Sequence, residues 1–471
     1  MKPRQKSNYN TMLRFSLILL LPVFLLFGCA QQSGDALLKQ IQAQGQLRIL
    51  TLNSPTTYYQ SKDQGSGPEY DMLTAFAGYL GVEAEFVVMD NITALFNALE
   101  QGKGDIAAAG LTRTGERVQR FLASPPYQHI QQQVVCRRNG KMPDNISEMA
   151  DLKFVVVAES SYVEQLRRLK VQTPQLNWRE NANATSESLL EDVWNRKIDC
   201  TVADSNIVAI NRRYYPEIEV AFDLTEPEAL VWYTPLKGND LQEAVFQWQT
   251  EYRRSGELDE VQERYYGFAE IFDYVDTKKF LKRIEARLPK YRAWFEDAAV
   301  QHDLSWTLLA AQSYQESHWN PRAKSPTGVR GIMMLTLTTA REIGVKSRLD
   351  AKSNIYGGAK YLARLKKRIP ERITEPDRTW MALAAYNVGM GHLSDARILT
   401  EKQGGNPDAW ADVKETLPLL SKKEFYKQTK YGYARGSEPV AYVNHIREFE
   451  LILKQYLEEK AQTAESSDSP K

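Results

Sequence analysis

Between Gly45 and Gly267 the chain alternates short apolar runs of β type with longer stretches of helical spacing. Strands that alternate with helices in this rhythm are typical of α/β folds, in which neighbouring strands run parallel. We therefore expect residues 45–267 to form an α/β domain with largely parallel sheets. The runs predicted to be strands are Leu47–Leu52, Ala84–Met89, Asp105–Ala109, Gln133–Cys136, Phe154–Ala158 and Cys200–Ala203.

The pattern changes after the charged run Asp273–Leu281, beyond which the hydrophobic spacing is continuously helical. This change predicts a helical linker over 268–284 and an all-α domain over 285–458. The linker contains little Gly, Ser or Pro, which favours a fixed arrangement of the two domains over free tethering. The final residues, 459–471, include a Ser-rich stretch and are predicted to form a disordered tail.

The first 28 residues have the composition of an export signal, in which basic residues precede the apolar run Phe15–Phe27. That run ends in Leu26-Phe27-Gly28-Cys29-Ala30, which resembles a lipobox, so we expect cleavage before Cys29 and lipidation of its thiol. A plain signal peptide or an uncleaved anchor is the alternative. Ala30 after the cysteine follows the sorting pattern of the outer membrane, so 29–44 is predicted to be a tether at its periplasmic face.

Composition and charge restrict the choice of partners. The 471 residues are 43% hydrophobic and 25% charged, as in ordinary soluble proteins of two or three domains. The net charge is +1 with both signs interspersed, so no nucleic-acid partner is predicted. The five histidines are scattered and no Cys or His cluster has metal-ligand spacing. We expect neither a metal nor another cofactor.

Once Cys29 is lipidated, Cys136 and Cys200 are the thiols that remain. In an oxidising compartment such a pair is able to form a disulfide. The two residues fall in different predicted lobes, and a bond between lobes that must move is awkward. We therefore favour two buried thiols over a disulfide.

A single acidic residue, Glu316, ends an apolar helical run just before a turn-prone segment. The helix is predicted over Asp303–Ser313, capped by Asp303 or Ser305, with Glu316 in its last turn. There the helix dipole and an apolar wall at Tyr314 and Trp319 disfavour ionisation. A raised pKa suits a general acid, although an isolated Glu at a helix end is more often simply solvated.

The segments after Glu316 decide between these interpretations. A Gly-x-Met loop at Gly331–Met334, an Ala-Tyr-Asn segment ending at Asn387 and a late Tyr442 follow in that order. Together with the Glu-Ser pair they resemble the lytic transglycosylase domain, a goose-lysozyme-like helical fold that cleaves peptidoglycan. The resemblance covers roughly 285–458.

The resemblance implies a role for each matching position. Glu316 is the acid/base and Ser317 helps to orient it. The loop that contains Gly331, Met333 and Met334 lines the sugar groove, and the pocket is shaped by Tyr386, Asn387 and Tyr442. Met334 departs from the family pattern, because many members carry Gln at this position. The hydrogen bond that Gln makes to the substrate or to the acid is therefore missing here.

The acidic residues around Glu316 give a separate indication of the chemistry. Ordinary glycosidases pair the acid with a second carboxylate, but no Asp or Glu lies between Ser317 and Arg341. A site with one carboxylate suits an intramolecular reaction, in which the 6-hydroxyl of muramic acid attacks its own anomeric carbon and closes a 1,6-anhydro ring. A carboxylate distant in sequence is the alternative, and it would make the protein a hydrolytic muramidase.

The first domain carries a second set of matching motifs. Gly45–Leu50, Gly67–Leu73, Gly110–Arg117 and Pro125–Tyr127 resemble the amino-acid-binding family of periplasmic solute-binding proteins, over both lobes. The resemblance implies that Thr112 and Arg117 hold a ligand α-carboxylate, that Asp204 takes the α-amino group and that Tyr58 stacks in the cleft. An ordinary surface salt bridge is the other interpretation of Arg117.

Three functions follow from these observations. We favour a peptidoglycan lytic transglycosylase whose first domain binds an amino acid or a muropeptide and regulates the second. The hydrolytic muramidase is one alternative. A non-catalytic receptor, whose helical domain only grips glycan, is the other, and Met334 is its main support.

Overall fold

The computed structural model describes residues 37–60, 65–267, 274–325 and 328–467. The predicted signal and Cys29 lie outside these residues. Within the described ranges, no helix is both long enough and apolar enough to cross a membrane. The strands, in chain order, are β1 Gln46–Thr51, β2 Tyr59–Gln60, β3 Gly65–Ser66, β4 Glu83–Val88, β5 Ile106–Ala107, β6 Phe121–Ala123, β7 Gln128–Ile130, β8 Gln132–Arg137, β9 Val155–Val157, β10 Arg179–Asn181, β11 Cys200–Asp204, β12 Ile218–Asp223, β13 Glu228–Leu230 and β14 Tyr233–Pro235.

The helices divide between the two domains. Those of the first are α1 Leu37–Gln44, α2 Pro68–Leu80, α3 Ile92–Glu100, α4 Arg117–Arg120, α5 Ser161–Gln172, α6 Ser186–Trp194, α7 Ser205–Asn211, α8 Asn239–Arg254 and α9 Glu257–Tyr266. Those that follow are α10 Tyr274–Ala286, α11 Arg292–His302, α12 Trp306–Ser317, α13 Leu337–Ile343, α14 Ala351–Arg368, α15 Asp377–Val388, α16 Met390–Lys402, α17 Trp410–Thr416, α18 Lys423–Tyr426 and α19 Ser437–Ser467.

The first domain is the expected two-lobed α/β fold. The first lobe is built on a sheet of order β4-β1-β5-β14-β6, and the second lobe on β11-β8-β12 with the separate pair β9-β10. The antiparallel pair β7 and β13 joins the lobes where the chain passes from one to the other and back.

The prediction of largely parallel sheets is only partly right. β1 pairs parallel with β4 and β5, but β14 is antiparallel to its neighbours, and so are β8, β11 and β12. The hydrophobic pattern located six of the fourteen strands of the described residues, and it missed β14, which returns to the first sheet after the chain has built the second lobe.

The cysteine prediction is wrong. Cys136 on β8 and Cys200 on β11 lie opposite each other in one antiparallel pair and form a disulfide. Both belong to the second lobe, because the chain has already crossed at β7 before Cys136. The bond therefore lies within a lobe and does not restrict movement between lobes.

The all-α domain surrounds α12 and α15, which are buried along most of their length and pack against α19. Two predicted end segments differ from expectation. The tether contains α1, whose Leu38 amide donates to the Asp240 carboxylate at 2.8 Å. The predicted tail is helical as far as Ser467, because its Glu, Lys, Ala and Gln residues are strong helix formers and extend α19.

Candidate catalytic and ligand-binding sites

Glu316 lies in the last turn of α12, as predicted. Of the two predicted caps, Ser305 is the N-cap, and its hydroxyl accepts from the Leu308 amide at 3.2 Å. Asp303 instead ends α11 in a left-handed conformation, with φ of 52°. His318, with φ of 53°, stops α12 directly after the Glu-Ser pair.

The Glu316 carboxyl is half-buried and accepts a hydrogen bond from the Tyr442 hydroxyl, 2.5 Å from Oε1. Burial raises the pKa of Glu316 to about 8, although the bond from Tyr442 favours the ionised form. Burial raises the pKa of Tyr386 and Tyr442, and the charge of Glu316 raises it further, so both hydroxyls lie near this carboxyl. The carboxyl is thus mainly protonated at neutral pH, as general acid catalysis requires.

The apolar wall is not formed by the predicted residues. Trp319 is 1% exposed, and its indole N–H donates to the Ala310 carbonyl at 2.8 Å. Tyr314 packs with Trp319 in the core, on the side of α12 away from Glu316. The side chains near Glu316 are Tyr442 and Tyr386, and not the predicted Tyr314 and Trp319.

A network of hydrogen bonds fixes the loop beside the acid. Ser317 Oγ donates to the Ile332 carbonyl at 2.8 Å, and Tyr386 OH donates to the Met333 carbonyl at 2.8 Å. The Met333 amide donates to Asn354 at 2.7 Å. Ser317 therefore holds the loop against α12 and contacts no Glu316 oxygen through these bonds.

The predicted groove residues have different environments. Met333 is fully buried in the core, and Gly331 is required by packing, because its φ is 91° and a Cβ would lie 2.0 Å from the Arg348 carbonyl oxygen. These two residues support the loop and do not line a groove. Met334 is half-buried, and Asn387 is exposed at the end of α15.

Sequence analysis missed Gln312 at this site. It is fully buried, and its Nε2 donates to the Tyr442 hydroxyl at 3.1 Å. It precedes Glu316 by four residues on the same helix, so both side chains lie on one face. That spacing was the available signal, but Tyr442 comes from a distant part of the chain.

The cleft between the two lobes gathers three of the four predicted ligand-binding residues. Thr112, Arg117 and Asp204 line it, together with Tyr162 and Glu187. Arg117 is 5% exposed and donates to the Thr112 carbonyl at 3.0 Å. It is therefore a buried cleft residue and not part of a surface salt bridge.

Asp204 has an unused hydrogen-bonding atom in this cleft. The residue is 4% exposed, and its Oδ1 has no hydrogen-bond partner within the described residues. Burial raises the pKa of Asp204 to about 7, against the effect of a hydrogen bond from Tyr162. A buried carboxylate oxygen without a partner is costly, and a ligand ammonium would satisfy it.

The lobes contact each other directly across the cleft. Ser54 donates to Glu187 Oε1 at 2.5 Å, and Ser161 donates to Thr112 Oγ1 at 3.2 Å. The free space between the lobes is about 90 Å³. Typical ligand pockets measure roughly 300–1,000 Å³, so this is a closed arrangement. Sequence analysis missed Glu187 and Ser161, which no local pattern distinguishes from other polar surface residues.

Tyr58 does not stack in the cleft. It is 9% exposed and packs in an aromatic cluster with Phe86, at 5.1 Å between ring centroids, and Tyr70, at 5.9 Å. Its neighbours Thr56 and Thr57 face the cleft instead. The prediction failed because the Tyr58 ring packs against Phe86 and Tyr70, and this packing has no signal in the local sequence.

Two family models match the chain. Residues 47–268 match the bacterial extracellular solute-binding proteins of family 3, and residues 293–408 match the transglycosylase SLT domain. Among solved structures, a mutant of ArgBP from T. maritima aligns with 49% of this chain and 99% of its own, at 19% identity and a TM-score of 0.45.

Curated relatives match nearly the whole chain. A membrane-bound lytic murein transglycosylase F from Saccharophagus degradans is 46% identical over 88% of this chain and 83% of its own length. A protein of the same name from Idiomarina loihiensis is 46% identical over 94% of this chain and 97% of its own. With this identity over both domains, the chain belongs to the membrane-bound lytic murein transglycosylase F family.

Proposed function

We propose that this protein cleaves peptidoglycan as a lytic transglycosylase, with Glu316 as its acid and then its base. Glu316 gives its proton to the glycosidic oxygen, and the bond from that oxygen to the anomeric carbon of N-acetylmuramic acid breaks. The 2-acetamido group of the same sugar stabilises the positive charge. Glu316, now ionised, removes the proton of the 6-hydroxyl, whose oxygen bonds to the anomeric carbon.

The observation that carries this proposal is the isolation of a protonated Glu316. Burial raises its pKa, the hydrogen bond from Tyr442 lowers it, and no carboxyl group of the described residues is among the causes of the shift. A hydrolase of the two-carboxylate type would place a second acid close enough to influence it. The ring-closing reaction needs no such group and no bound water.

The surrounding residues are assigned by their contacts. Ser317, Gly331 and Met333 hold the loop, and Tyr386 fixes it through the Met333 carbonyl. Tyr442 donates to Glu316 and stabilises its ionised form. Two further residues, Met334 and Asn387, are accessible enough to contact the glycan.

The cleft of the first domain is proposed to bind an amino acid or the peptide stem of a muropeptide. Arg117 and Thr112 are suited to a carboxylate, and Asp204 to an amino group. The closed lobes leave little space, so the ligand enters when the lobes part. Its preference for one lobe arrangement would then alter the catalytic domain.

We place the protein at the periplasmic face of the outer membrane, anchored by a lipid on Cys29. The relatives carry the words membrane-bound in their names. The lipobox-like segment Leu26–Ala30 supplies the residue to be modified.

The test is turnover of purified peptidoglycan by Glu316→Gln, which removes the ionisable group and keeps its size. We expect loss of at least roughly a thousandfold in rate, because both proton transfers depend on this carboxyl. Glu285→Gln is the control, since that carboxylate lies at the surface and bonds to Tyr456. Normal turnover by a folded Glu316→Gln would exclude Glu316 from the reaction.

A further inference from the structure

Gln312 is the buried polar group at the catalytic site that the proposed reaction does not use. It is 0% exposed and lies one helical turn before Glu316. Its Nε2 donates to the Tyr442 hydroxyl at 3.1 Å, while its Oε1 has no hydrogen-bond partner in the part of the chain that the structure describes. A buried amide whose oxygen has no partner costs stability, so a role in function is a reason for its presence.

The hydrogen bond from Gln312 restricts where the Tyr442 proton points. A tyrosine hydroxyl has a single proton, and its oxygen also accepts. Since Gln312 donates to that oxygen, the proton is left to point at Glu316 Oε1, which lies 2.5 Å away. Without the amide, the hydroxyl is free to rotate away from Glu316 or to accept from the protonated acid.

The direction of the Tyr442 proton affects the two forms of Glu316 differently. A donor aimed at the carboxylate stabilises the ionised form and not the protonated one. The titratable groups that face Glu316 are Tyr442 on α19 and Tyr386 on α15, and the Tyr386 hydroxyl donates to Met333. Tyr442 is therefore the described side chain that donates to the carboxyl, and Gln312 controls its orientation.

We propose that Gln312 is a positioning residue, which holds the Tyr442 hydroxyl as a donor to Glu316 and so assists the half of the cycle in which Glu316 is ionised. This inference rests on the proposed role of Glu316. After protonating the glycosidic oxygen, Glu316 carries a negative charge until it takes the proton of the 6-hydroxyl. The hydrogen bond from Tyr442 stabilises that charge during this interval.

The test compares pH profiles of kcat for Gln312→Met and for Tyr442→Phe. Met has nearly the size of Gln but cannot donate, so we expect the alkaline limb to move upward by roughly half to one pH unit. The KM should stay unchanged, because Gln312 is buried away from the glycan. The control is Gln315→Met, the same substitution on the same helix at a half-buried position, with the parent profile expected.

A double variant separates orientation of Tyr442 from general packing. If Gln312 acts through Tyr442, then Gln312→Met should add no shift when Tyr442 is already Phe. A ¹³C titration of the Glu316 carboxyl gives the same comparison without turnover. Thermal unfolding checks the fold, and Gln312→Leu replaces Gln312→Met if the latter does not fold.

The outcomes distinguish this inference from the proposed function. A parent-like profile in Gln312→Met, or a further shift of the same size when Gln312→Met is added to Tyr442→Phe, overturns the role of Gln312 while Glu316→Gln stays inactive. If Glu316→Gln retains turnover, the proposed function itself fails.

Discussion

At the scale of single residues, burial and not a charged neighbour determines the state of Glu316. Burial reduces the contact of this carboxyl with water, and the ionised form therefore loses solvation. This gives a catalytic acid without a second carboxylate. It also makes the reaction sensitive to alkaline pH.

We expect kcat to fall as the pH rises through about 8, the pKa of Glu316. The raised pKa means that the protonated acid is present below this pH and is lost above it. The measurement is initial rate on solubilised glycan strands across the pH range, with circular dichroism recorded in the same buffers. If kcat falls near the ordinary pKa of a glutamate while the fold stays intact, the result would contradict the burial of the Glu316 carboxyl.

The residues of the site differ in how far sequence predicts them. Glu316 was recognisable because it ends an apolar helix, and Tyr442 because it completes a set of motifs. Gln312 and Glu187 were not, because their importance depends on partners more than 100 positions away. Tyr58 was misplaced for a related reason, since its rotation away from the cleft depends on packing against Phe86.

At the scale of elements, the loop beside α12 depends on one glycine. Gly331→Ala should lower the free energy of unfolding by about 2–4 kcal/mol, because the Cβ meets the Arg348 carbonyl and the backbone has positive φ. Gly328→Ala is a matched control, since Gly328 has φ of 84° but open space around it. Its cost should be only about 1 kcal/mol, from the backbone alone. Urea denaturation measures both variants, and equal losses of unfolding free energy would contradict a role for packing at Gly331.

The disulfide of the second lobe should stabilise the domain. Replacing Cys136 and Cys200 together by Ala should reduce the free energy of unfolding by about 2–4 kcal/mol, because the bond closes a loop of 64 residues. Turnover without a cleft ligand should be unchanged. Denaturation of the oxidised parent and the variant measures the difference, and an unchanged midpoint would show that the bond contributes nothing.

Six of the fourteen strands of the described residues were predicted at their positions, whereas the pairing of the strands was not predicted. Apolar runs located β1, β4 and β11 to within about two residues, because each contains a short run of apolar residues bounded by polar ones. Pairing depends on which lobe a strand joins, and the two crossings at β7 and β13 leave no local signal. The wrong prediction for the cysteines has the same origin.

At the scale of the whole molecule, neighbouring residues of α19 contact both lobes of the first domain. Arg447 donates to Glu263 Oε1 at 2.6 Å in the first lobe. Glu448 pairs with Arg213 of the second lobe at 3.6 Å. The same helix carries Tyr442, which contacts the catalytic acid. A change in the angle between the lobes therefore has a direct physical route to Glu316.

We expect the double variant Arg213→Met with Glu448→Met to lose its response to a cleft ligand. Replacing both partners of a buried pair by apolar residues is often neutral for stability, so the fold should persist. In the parent, a cleft ligand should change turnover by at least roughly 5-fold. In the double variant, the same ligand should leave turnover nearly unchanged. Turnover with and without a muropeptide measures this, with Arg254→Met and Glu251→Met as an exposed-pair control. An undiminished response in the double variant would contradict the proposed route.

The most direct test of the account is product analysis in water enriched in ¹⁸O. The purified protein is incubated with purified peptidoglycan, and the released muropeptides are examined by mass spectrometry. We predict 1,6-anhydro products without ¹⁸O, because the attacking oxygen belongs to the sugar itself. Reducing ends that carry ¹⁸O at the anomeric position would show that water is the nucleophile, and would contradict the single-carboxylate, ring-closing reaction at Glu316.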